Sequence, residues 1–216
     1  MPEPPARRSA LAEIYRPGTS GAERPDGPGV TLAERVGVSL VHLAGRNARA
    51  EFLPGAKDAL GVALPVEPNR SAQGPEVVLF PLAPGRWLVE SSSIVPADLE
   101  QSLRSAVEGT GGAVADVSSA WTILRLAGPG ARRTLAKGCP IDLHPSAFPR
   151  GSFAQTSLEG IAVLLHALPA GDAIDLYLPR SFGRHTCEWL LHAAAEFGAR
   201  VDQTIAPPAP VLRPPA

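Results

Sequence analysis

"LAGRNAR" runs from Leu43 to Arg49, and "LAGPGAR" runs from Leu126 to Arg132. The phrases agree at five of seven positions, but Leu, Ala, Gly and Arg are all common in this chain, so the surroundings decide whether the match means anything. After the first phrase, "NARAEFLPGAKDALGV" predicts a short helix broken at Pro54. "EVVLFPLAPGRWLVESS" predicts two strands joined at Pro84-Gly85. "PADLEQSLRSAVEGTGG" has Leu99, Leu103, Ala106 and Val107 at helical spacing, with Pro96 at its start and glycines at its end. After the second phrase the order returns. "PGARRTLAKG" predicts a short helix with Pro129 at its first position, "GIAVLLHALPAGDAIDLYLP" two strands around a Pro169/Gly171 turn, and "HTCEWLLHAAAEFGARV" a helix closed by Gly198.

The repeated order predicts an α+β fold of duplicated split β-α-β units, β-α-β-β-α-β twice. The folded region spans about 36–202, with halves near 36–116 and 117–202. Neither half has much apolar surface to bury alone, so a single shared core is expected. Gly45 and Gly128 each let the chain pass from a buried strand into a helix within about two residues. A glycine turn before a helix can cradle phosphate. The GxxAR spacing, however, is neither a P-loop nor a dinucleotide fingerprint.

Eleven of the 24 prolines fall in the first 30 and last 12 residues. Residues 1–35 are therefore read as a Pro/Gly-rich extension and 203–216 as a Pro-rich tail, both irregular or extended. In the extension only "RRSALAEIY" (Arg7 to Tyr15) suits a helical turn or two, with Leu11, Ile14 and Tyr15 on its apolar face. A segment that short is ordered only where something binds it.

Lys plus Arg number 20 and Asp plus Glu 21, a balance that supplies no electrostatic attraction for nucleic acid or an anionic membrane. No run of about 18 apolar residues spans a bilayer. The N-terminus lacks a secretory apolar core, which makes the cytoplasm the expected compartment. Cys139 and Cys187 lack the spacing of a metal site and read as reduced thiols. His185, Cys187 and His192 look suggestive together, but positions two apart on a helix point about 200° from each other. Ser91-Ser92-Ser93 lacks the context of a nucleophile, and Asp172 and Asp175 flank a turn as solvated carboxylates. The sequence thus predicts no catalytic, cofactor-binding or metal-binding residue in this chain.

Charged residues make up only 19% of the chain. In the last helix, Leu190, Ala194 and Phe197 form the inward stripe. Trp189, Leu191 and Ala193 lie off it, giving a helix apolar nearly all round. Burial against another subunit accounts for both features, and burial of the helix within this chain's own core is the equal alternative; on the first account Leu11, Tyr15, Trp189 and Leu191 are the candidate interface residues.

Asp116 to Ala199 resembles the gamma subunit family of heterotetrameric sarcosine oxidase. The resemblance rests on Asp116-x-Ser118, on Gly128-Pro129-x-Ala131-Arg132, and above all on "LAKGCPIDLHPSAF" from Leu135 to Phe148. Arg180-Ser181-Phe182 followed by Trp189-Leu190 also fits. The resemblance implies the folate-binding fold of the glycine-cleavage T-protein. It implies an accessory, non-catalytic gamma chain partnered by alpha, beta and delta subunits. FAD, FMN, NAD, tetrahydrofolate and zinc would belong to those partners. The implied reaction oxidises an N-methyl amino acid such as sarcosine and passes the one-carbon unit to tetrahydrofolate; related complexes act on other N-methylated amines. A stand-alone folate-binding or aminomethyltransferase-like protein is the alternative, for which Asp116, Asp142 and Arg150 could supply the charges.

Overall fold

The computed structural model describes residues 8–45 and 51–206. The "RNAR" end of the first repeated phrase, Arg7, and the tail from 207 onward lie outside the described residues. The fold is α+β and mostly sheet. Its elements in chain order are β1 (Gly18–Ser20), β2 (Val30–Arg35), β3 (Ser39–Ala44), α1 (Phe52–Leu60), β4 (Ala72–Gln73), β5 (Val78–Ala83), β6 (Arg86–Ser91) and α2 (Pro96–Ala106). There follow β7 (Ala113–Asp116), β8 (Trp121–Ala127), α3 (Ala131–Ala136), β9 (Phe153–Leu158), β10 (Ile161–Ala167), β11 (Ile174–Pro179), α4 (Gly183–Ala194) and β12 (Ala199–Val201).

Two compact units divide these elements. Gly37–Ser118 carries a five-stranded sheet in the order β4-β5-β6-β3-β7. Its helices pack on one face, where Val41, Leu43, Leu79, Trp87 and Val89 meet Phe52, Leu99 and Leu103. Pro54 does not break α1. It sits in the first turn, where its missing N–H has no helical partner to lose. Gly45 is small because of Phe52: a Cβ there would lie 2.4 Å from the phenyl ring, which is itself stacked against Trp87.

The second unit joins the described residues up to Val36 to Ser119–Ile205. Its seven-stranded sheet has the order β1-β12-β2-β8-β11-β10-β9. Along β11, Ile174, Leu176 and Leu178 enter the helix-side cluster with Leu124, Leu126, Leu190 and Ala194, while Asp175 and Tyr177 point to the opposite face. Gly128 has φ +98°, and a Cβ there would come within 2.6 Å of the Gly29 carbonyl oxygen, so both conformation and space demand glycine. Pro129 is not the first residue of α3, which begins at Ala131.

Three expectations need correction. Each unit has its own sheet and its own apolar cluster, where one core was expected. Each repeat contains one strand more than predicted, the short β4 and the longer β9; β9 joins β10 through Glu159-Gly160, a turn with both residues at positive φ. Finally, residues 1–35 are not merely an extension. β2 lies between β8 and β12 in the second sheet, pairing antiparallel with one and parallel with the other, and β1 covers the edge of β12. Ile205, within the expected tail, bridges to Arg35.

Candidate functional site

Residues 9–15 dock onto their own unit. Leu11 is 0% exposed in the core cluster, which leaves it no surface for a partner. One turn closes above it, through hydrogen bonds from the Ile14 and Tyr15 amides to the Leu11 carbonyl. Gly183 opens α4 without a side chain because Ala10, Thr122 and Leu11 crowd that position. The Tyr15 hydroxyl donates to the Asp202 carbonyl at 2.8 Å and accepts from the Glu34 amide at 3.0 Å. Burial pushes that phenol up to about 12. The ordering partner of the leader is therefore this chain.

Beneath the leader, the carboxylate of Glu34 is 4% exposed, and the Ser9 hydroxyl donates to it at 2.6–2.7 Å. Burial raises its pKa, opposed by Ser9 and Arg180. Cys187 lies buried nearby in the sequence-predicted helix, its thiol pushed up to about 11 by desolvation. A thiol in that state is a packing group and not a nucleophile.

Of the remaining interface candidates, Trp189 and Leu191 are half-buried and pack against the same cluster. The indole of Trp189 rests over Gly138, where an added Cβ would come within 2.9 Å of it. The reading of α4 as apolar nearly all round is wrong. Arg184, His185, Glu188 and His192 are exposed, and Arg184 pairs with Glu188 at 2.9 Å. The solvent face was hidden because its charges sit at the start of the helix, before the apolar run.

Asp175, expected to be a solvated carboxylate, is 0% exposed. Arg35 Nη1 donates to it at 2.7 Å, and Arg125 donates twice, through Nε at 2.7 Å and Nη2 at 2.9 Å. β2, β8 and β11 bring the three together, with Arg125 and Asp175 directly opposite in register. Both carboxylate oxygens are engaged and the group is fully buried, so the arrangement ties the three strands together. The sequence signal was the alternation itself: Asp175 occupies the period-2 position opposite to Ile174 and Leu176.

The other polar candidates have local partners. The Ser91 hydroxyl donates to the Glu76 carbonyl and accepts from the Ile94 amide. Asp116 Oδ1 accepts from the amide and hydroxyl of Ser118. Asp142 accepts from the His144 amide at 2.8 Å, and Arg150 pairs with Asp172 at 2.7 Å. Among the described residues no group of three His, Cys, Asp or Glu is arranged to hold a metal ion, and no helix is long and apolar enough to cross a membrane.

Residues 44–196 match the model of the sarcosine oxidase, gamma subunit family. The chain belongs to that family. A curated gamma subunit of sarcosine oxidase from Corynebacterium sp. (strain P-1) is 35% identical over 175 residues, 79% of this chain and 80% of the relative. The gamma subunit from Arthrobacter sp. is 38% identical over 146 residues, 65% and 68% of the two chains. Among solved structures, a chain of the heterotetrameric sarcosine oxidase from Corynebacterium sp. U-96, in complex with pyrrole 2-carboxylate, superposes with a TM-score of 0.78 at 29% identity. That match covers 88% of this chain and 96% of the other. The fold is also similar to that of the glycine cleavage system aminomethyltransferase T from Bartonella henselae. There the TM-score is 0.62 at 17% identity, over 92% of this chain and 60% of that one.

Proposed function

We propose that this chain is the non-catalytic gamma subunit of a heterotetrameric, flavin-dependent sarcosine oxidase complex, in which oxidative demethylation of an N-methyl amino acid is coupled to one-carbon transfer to tetrahydrofolate. The observation that carries this reading is the superposition on 96% of a chain of a heterotetrameric sarcosine oxidase. Its partners are alpha, beta and delta subunits. FAD, FMN, NAD, tetrahydrofolate and zinc are assigned to those partners and none to this chain. The complex works in the cytoplasm.

Duplication belongs to the same reading. The strand orders β4-β5-β6-β3-β7 and β9-β10-β11-β8-β2-β12-β1 become equivalent once β1 and β2 are set aside. The repeated "LAG" phrase then marks the same strand-to-helix exit in each copy.

The alternative, a stand-alone folate-binding protein, needs free charges for the pterin and the glutamate tail. Asp116 and Asp142 hold local turns, and Arg150 holds Asp172. Arg150, the one cation proposed for the glutamate tail, is already paired with Asp172, which favours the accessory role.

The test is spectroscopic. Purified alone, the chain should show no flavin absorption band and release no flavin on denaturation. A yellow chain with one flavin per molecule would overturn the accessory reading.

A further inference from the structure

Two buried carboxyl groups of the second unit are held differently. Asp175 takes its hydrogen bonds from two guanidiniums, which match its charge. Glu34 is 4% exposed, and among the described residues no guanidinium donates to it. Its oxygens face one hydroxyl, that of Ser9 in the leader. Ser9 Oγ lies 2.6 Å from Oε1 and 2.7 Å from Oε2. A hydroxyl carries one hydrogen and so fills only one of those contacts at a time. The Leu11 amide donates to the same oxygen at 2.8 Å, which makes Ser9 Oγ an acceptor as well.

Counting protons decides the state of the pair. With Glu34 ionised, one carboxylate oxygen faces Ser9 Oγ at hydrogen-bond distance with no hydrogen between them, and a charge lies buried without a matching cation. With Glu34 protonated, its O–H donates to Ser9 Oγ and Ser9 donates to the other carboxyl oxygen. The second lone pair of Oγ takes the Leu11 amide, and the set is complete.

The surroundings agree. From the leader, Tyr15 faces Glu34 with a phenol pushed up to about 12, and from α4 Cys187 with a thiol pushed up to about 11, so neither titrates where a carboxyl does. β8 places Leu124 opposite Glu34. Arg180, in the 3-10 turn leading into α4, acts on it through space only. The other nearby charges are paired, Asp202 with Arg200 and Arg8 with Glu13. Burial raises the pKa of Glu34 against the pull of Ser9 and Arg180, the direction the proton count requires.

We infer that residues 9–15 form a proton-latched strap: Glu34 keeps a proton while Ser9 is seated on it, and loss of that proton to solvent loosens the strap. Leu11 and Tyr15 hold the strap at any pH, and the Ser9–Glu34 pair makes the hold adjustable. Because the closed strap favours the protonated carboxyl, the latch is complete below the ordinary glutamate range and is lost as pH rises through the raised value. The inference concerns this chain alone and does not depend on the subunit reading.

The test is hydrogen exchange on the full chain, read at the Ile14 and Tyr15 amides that close the turn onto the Leu11 carbonyl. Rates are expressed as protection relative to the intrinsic rate at each pH. Between about pH 5 and about pH 8, protection of these two amides should fall roughly tenfold, while amides of β10 and β11 keep theirs. Glu34→Gln keeps the same donor and acceptor pattern with no proton to lose, so its strap should stay as protected at the higher pH as at the lower. Wild-type protection that does not change with pH overturns the latch. So does a Glu34→Gln chain whose strap loses protection as steeply as the wild type.

Discussion

Asp175→Asn should destabilise the chain by about 3–5 kcal/mol, measured as a shift of the urea unfolding midpoint at constant slope. The carboxylate is fully buried, and its two oxygens take three hydrogen bonds from Arg35 and Arg125. Removing its charge leaves two guanidiniums facing each other across β2, β8 and β11, with one formal counter-charge lost. The neighbouring Asp172 supplies the control. Its pair with Arg150 is exposed on both sides, so Asp172→Asn should leave the midpoint where it was. Equal effects of the two substitutions would show that burial of Asp175 is not what makes its pairing matter.

Leu11→Ala should cost about 2–4 kcal/mol in the isolated chain, read by the same unfolding experiment. The side chain is 0% exposed and sits in the cluster with Leu32, Leu124 and Leu190. The residues around it are held by two further anchors, Ser9 on Glu34 and Tyr15 on Asp202. Truncation therefore opens a cavity in a site that cannot simply collapse. Were the leader ordered only by a partner subunit, the isolated chain would unfold at the same midpoint with or without Leu11, and only assembly would suffer.

Much of this fold is legible in the chain because the signals are local. Pro96, the Leu99/Leu103 stripe and the glycines after α2 mark both ends and the buried face of that helix. Gly85 and Gly171, both at positive φ, mark the two hairpins. What escaped reading depended on partners distant in sequence. β2 is a short alternating run, Val30, Leu32, Glu34, whose third inward position is a carboxylate; nothing local reveals that Ser9 satisfies it. Asp175 looked solvated because its two arginines lie 140 and 50 residues away. The docking of Leu11 and Tyr15 escaped for the same reason: both are apolar on a short segment, and whether such a segment docks on its own chain or on another is a tertiary fact. The loop between α3 and β9 was visible only as family-specific letters; its shape rests on the Arg132 contacts to the Leu143 and Phe148 carbonyls.

The central claim is that this chain exists to be part of a larger oxidase, and native mass measurement of the chain co-expressed with the proposed alpha, beta and delta subunits tests it most directly. The account predicts a single species containing one copy of each subunit, with all flavin signal carried by the partners. A chain that separates cleanly as a monomer while the other subunits assemble into an active oxidase without it would contradict the account.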